Sequence, residues 1–217
     1  MSQPGTRSSS SWARYLVTAL VAAAIAGPVG YLVGRPDASQ VAIADMREAE
    51  VKRDVQQIGE LTSTARVTAG ELNGVLSRLV EVLPKDGSPG ARSVEAAEVE
   101  GWQRVLRQAV DRHAETPSGT TATNVARAGF RSAVDSMAIA VDAYAAGRKL
   151  PEDQQKTFLD LAVRQRSAAV TAWSVAATQL DQINVDAGNG HQHVYLTGAP
   201  GEGMSADSVP EGSHGHG

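Results

Sequence analysis

The sequence predicts an all-α protein: one N-terminal transmembrane helix, then an up-down four-helix bundle with a long first helix, then a disordered C-terminal tail. Three observations predict it. An uncharged apolar run lies near the N-terminus. Four segments further on step their apolar residues by three and four. The last stretch changes to Gly, Pro, Ser and His, with few large apolar groups to offset the entropy of ordering.

The apolar run is Tyr15 to Val33, YLVTALVAAAIAGPVGYLV, which is long enough to cross a bilayer as a helix. It predicts an anchor over 15–34. Residues 1–14 carry Arg7 and Arg14 and no acid, so they read as a cytoplasmic arm, with the rest of the chain exported. The localisation expected is the cell membrane, single-pass, with the C-terminal domain extracytoplasmic. The alternative is a signal peptide cleaved after Ala26, since Ala24–Ala26 has the small-x-small form. The apolar run continues through Val29, Tyr31, Leu32 and Val33, which favours the anchor. Thr18, Ala22, Ala26, Gly30 and Gly34 fall four apart, a small-residue ridge that suits a membrane homodimer through Gly30 and Gly34.

Beyond Pro36, Asp37 and Gln40 are spaced as a capping pair, and no proline follows until Pro84. A first helix is therefore expected over 37–83, about 70 Å long. Its stripe runs Val51, Val55, Ile58, Thr62, Ala65, Ala69, Leu72, Leu76, Leu79, Leu83, alternating four and three. That is a heptad seam, and it makes Leu72 and Leu76 candidate oligomerisation residues. Leu61, Val75, Val80 and Val82 broaden the apolar face, which suits a bundle.

PKDGSPG, Pro84 to Gly90, is a loop, and Ser93 caps a second helix expected over 93–115, with Trp102, Val105, Leu106, Ala109 and Val110 inward. A third is expected over 121–148, where Phe130, Val134, Met137, Val141 and Tyr144 step by three or four. Pro151, Glu152 and Asp153 open a fourth over 151–185, with Leu159, Val163, Val170, Trp173 and Leu180 on one face. Short connections make the bundle, residues 37–187, antiparallel. Trp102, Tyr144 and Trp173 are expected in its core.

Residues 188–217 form the expected disordered tail. Within it VYLTGAPGEGMS, Val194 to Ser205, approaches the phosphate-loop spacing, but Met204 stands where that loop needs its Lys, and no helix-forming segment follows. Nucleotide binding is set aside on those grounds. His191, His193, His214 and His216 form two His-x-His pairs, able to ligate a transition metal weakly. No other cofactor is expected. His113 reads as a solvent-facing histidine at a helix end.

Composition excludes further classes. The net charge of −4 comes without a basic stripe, against a nucleic-acid partner. With no cysteine there is no thiol nucleophile, disulfide or cysteine-ligated zinc. Within residues 37–187 no Glu stands three residues before a His, so the di-metal carboxylate pattern of helical bundles is missing. The expectation is a protein that is not an enzyme: a membrane-anchored interaction, scaffold or ligand-sensing module with an unidentified protein partner, or a second copy of itself. The alternative is a metal-binding or metal-delivery protein using the four tail histidines.

Overall fold

A computed structural model describes residues 15–17, 19–20, 37–86 and 94–197. The described elements are all helical, and four of them pack as a bundle: α1, Ala38–Val82; α2, Ala96–Arg112; α3, Thr121–Gly147; α4, Glu152–Asp186. Two compact units divide the chain, Met1–Glu50 and Val51–Gly217. No described helix is long and apolar enough to cross a membrane. Of the expected anchor over 15–34, residues 15–17 and 19–20 are described; the rest, with Gly30 and Gly34, lies outside the described residues, as does the cytoplasmic arm.

The helices begin where local chemistry supplies a start. The Asp37 carboxylate accepts from the Gln40 N–H at 2.7 Å, satisfying one of the donors a first turn leaves orphaned. Hydrogen bonds from Ser39 and then Gln40 hold that carboxyl below its usual range. Thr120 caps α3 by accepting from the Thr123 N–H. Pro151 precedes α4, and Glu152 and Asp153 complement the dipole of its first turn. The second helix is shorter than expected at both ends. It starts after Glu95, which makes no side-chain cap bond, and stops at Arg112. Ser93, the expected cap, lies outside the described residues.

Within the second unit successive helices run antiparallel. Arg78 pairs with Glu98 at 3.0 Å and Glu71 with Arg112 at 2.8 Å, so α2 returns along α1. Gln103 donates to Asp142, and the Trp102 and Tyr144 rings lie 6.2 Å apart, tilted by 34°, so α3 runs opposite to α2. Thr62 on α1 meets Asn184 near the far end of α4.

The buried positions repeat every seven residues on each helix: Ile58, Ala65, Leu72 and Leu79; Val99, Leu106 and His113; Phe130, Met137 and Tyr144; Leu159, Arg166, Trp173 and Leu180. This repeat keeps one face of each helix turned inward along the bundle. The closest backbone approach is between α3 and α4. Small residues allow it, because Ala126, Ala133, Ala140 and Gly147 share one heptad position, and Ala162, Ala169 and Ala176 another. At Gly129 an added Cβ would lie 2.8 Å from the Cβ of Ala176. Trp102, Tyr144 and Trp173 are core residues, as expected.

Several polar side chains in this core hold places that apolar periodicity left blank. The guanidinium of Arg166 is fully buried and donates to the Leu83 carbonyl, putting a cation on the C-terminal end of α1, whose last turn has no basic residue of its own. Asn184 donates to Thr62 and to the Leu180 carbonyl, both at 2.9 Å.

The chain does not come loose at Gly188. Residues 188–197 fold back as a strap. Val194 is buried, and its carbonyl accepts from the Trp173 indole N–H at 2.6 Å. Arg66 donates to Gln192, and the Thr197 N–H to Asn73. The expected disordered tail is therefore corrected for these ten positions: the burial of Val194, the packing of Tyr195 and Leu196 and these hydrogen bonds fix them. Residues 198–217 lie outside the described residues.

Candidate functional site

One cross-section of the bundle gathers a residue from each helix: Thr68 (α1), His113 (just past α2), Phe130 (α3) and Trp173 (α4). Phe130 and Trp173 meet edge to face at 4.7 Å. His113 stands 6.1 Å from Phe130 and 6.4 Å from Trp173, nearly perpendicular to the indole. It is not solvent-facing: the residue is 2% exposed. Its heptad relation to Val99 and Leu106 carries it inward, overriding the charged neighbours Asp111 and Arg112. Burial, and then the Arg112 charge, lower its pKa to about 4, so the ring is neutral at physiological pH.

The proton on that ring can be placed. Arg112 binds Glu71 through both terminal nitrogens, at 2.8 and 3.0 Å, and also donates to Thr68 Oγ1 at 3.0 Å. Arginine has no acceptor, so Thr68 accepts there and keeps its own hydrogen for His113 Nε2, 3.1 Å away. The neutral ring is then the Nδ1–H tautomer. No buried side-chain nitrogen or oxygen among the described residues lacks a partner. His113 makes no other side-chain hydrogen bond among the described residues, and it helps to line a cleft.

That cleft encloses about 110 Å³. Its inner wall is Gln57, Leu61, His113 and Arg127, all buried; its outer part carries Glu60 and Glu115, both exposed, and the half-buried Arg112, whose charge is paired with Glu71. Arg127, 6% exposed, donates to the Pro117 carbonyl, to Asn124 and to Gln57 at 2.7 to 3.2 Å. All three acceptors are neutral. Burial lowers its pKa, with Asp54 and Glu60 acting in the opposite sense at longer range. The α2–α3 connection is fixed to α1 here: Gln57 donates to the Ser118 carbonyl, and Asp54 accepts from the Thr120 N–H and the Thr123 hydroxyl. The sequence reading singled out neither Gln57 nor Arg127. Their only signal is position, since Arg127 and Val134 fall seven apart on the buried face of α3.

Of the histidines proposed for metal, His191 and His193 lie in the strap with parallel rings 5.8 Å apart, and His191 Nδ1 is 2.9 Å from Asp181. Burial pulls the Asp181 carboxyl up, but its bonds from His191 and the Gln192 N–H outweigh this and hold it below its usual range. Among the described residues no group of three His, Cys, Asp or Glu is arranged to hold a metal. His214 and His216 lie outside the described residues.

Leu72 and Leu76, expected at a seam between copies, are buried in the core of their own chain. The part of that seam left open is its beginning, where Val51 is 63% and Val55 42% exposed. The preceding helical stretch, residues 38–50, exposes every side chain, Val41, Ile43 and Met46 included.

Comparison of the chain with protein-family models, with curated proteins and with solved structures gave no match in any of the three.

Proposed function

We propose that the protein is a membrane-anchored, extracytoplasmic helical bundle acting without catalysis, as an interaction or scaffold module. The observation that carries this reading is the uncovered start of the α1 seam. From Ile58 onward the seam is buried by the bundle, whereas Val51 and Val55, the same seam's first two positions, face water. A helical stretch with no packed face is marginal in water, because most helical stability in proteins comes from tertiary packing. A partner helix laid along this face would supply that packing. The partner is an unidentified protein or a second copy of the chain, the homodimer for which Gly30 and Gly34 form the membrane ridge. Capture of partners by the full chain tests the reading. Val51→Asp is expected to abolish capture and leave folding intact, since the position is exposed. Unchanged capture would contradict it.

A second reading is a metal-binding protein, supported by the stacked His191 and His193 beside Asp181. It has His214 and His216 completing the ligand set. Nickel or copper titration of the full chain, against one with the four histidines replaced by Ala, tests it. Equal affinities would count against it.

A further inference from the structure

We infer that the cleft beside His113 binds a small zwitterion, carboxylate inward on Arg127 and the His113 Nδ1–H, ammonium outward between Glu60 and Glu115. The inference goes beyond the partner reading and stands on different residues.

The inner wall is built for an anion. Arg127 is a nearly fully buried cation whose three hydrogen bonds all go to neutral oxygens, so no carboxylate among the described residues neutralises it at contact. A buried charge in this state is costly, and an arriving carboxylate relieves the cost. The other inner polar group, His113, presents an N–H. Its Nε2 is committed to Thr68, and that hydroxyl is in turn fixed by Arg112, whose own charge is satisfied by Glu71. The donor is thus oriented by a chain of three side chains, and the neutral ring adds no second positive charge that would call for a dianion.

The rim is built for a cation. Glu60 and Glu115 are exposed carboxylates on opposite elements, α1 and the α2–α3 connection. A plain anion entering between them meets repulsion, and a plain amine has Arg127 at the inner end. A molecule with both charges satisfies both ends. The volume of about 110 Å³ has room for a small molecule of this kind.

Calorimetric titration of the full chain in detergent micelles with glycine, acetate and methylammonium tests this. Glycine is expected to bind saturably, about tenfold or more tighter than either single-charge probe. Glu115→Gln and Glu60→Gln, both at exposed rim positions, are expected to weaken glycine several-fold. Arg127→Gln is expected to abolish binding, and its fold is checked by circular dichroism. Three results would each overturn the inference: no saturable glycine binding, acetate as tight as glycine, or glycine affinity unchanged in both rim variants. None of them bears on the α1 face, so the partner reading stands or falls separately.

Discussion

His113 Nε2 and the Thr68 hydroxyl lie 3.1 Å apart in a layer otherwise closed by Phe130 and Trp173. The histidine is held neutral there, and this has a consequence for pH. The unfolded chain takes up the proton near 6.5 and the folded chain near 4. Between those values the unfolded state holds more protons, so acid favours unfolding. This contribution is complete above pH 6.5 and shrinks as pH falls toward 4, a loss of about 3 kcal/mol. Urea unfolding at neutral pH and at about pH 4.5 measures it. His113→Gln, which does not titrate, is expected to flatten the dependence over this window. An unchanged slope in that variant would assign the effect elsewhere.

The buried hydrogen bond of the strap comes from the Trp173 indole. Trp173→Phe keeps most of the packing against Phe130 and removes the bond to the Val194 carbonyl. The expected cost is about 1–3 kcal/mol, since a buried carbonyl loses its partner. Amide exchange of residues 191–197 should quicken more than that of α2. Equal protection in the two proteins would show that the strap is held by its other contacts, to Arg66, Asn73 and Asp181.

Packing of α3 on α4 limits side-chain size at Gly129. Gly129→Ala gains helix propensity of about 1 kcal/mol, yet its new Cβ would stand 2.8 Å from that of Ala176. Overpacking of this kind typically costs about 1–3 kcal/mol, so the net effect expected is destabilising. Adding Ala176→Gly should recover the overpacking loss. A stabilised single variant would mean that the two helices separate freely, against the close alanine packing described above.

The apolar part of the fold was legible because periodicity records it. Phe130, Val134, Met137, Val141 and Tyr144 were expected on one face and all are buried there. Expected helix limits agree within three residues throughout. The cleft was not legible, because its residues are polar and a polar letter does not say which way it faces. His113 was read from its charged neighbours, when its distance from Leu106 is what places it. Arg166 occupies a core position between Leu159 and Trp173 for the same reason. The burial of Val194 was not legible, because the apolar run Val194, Tyr195 and Leu196 is too short to show a period. That burial depends on an indole twenty-one positions earlier, a relation only the fold creates.

The central claim is that a partner covers the open beginning of the α1 seam. Photocrosslinking at Val51 and Val55 in the full chain within membranes tests it most directly. Two other exposed apolar positions, Val67 and Val175, serve as references. The account predicts a discrete adduct from 51 and 55 and none from 67 and 175, and a mass of twice the chain would identify the partner as a second copy. Adducts no stronger at 51 and 55 than at the references would contradict it.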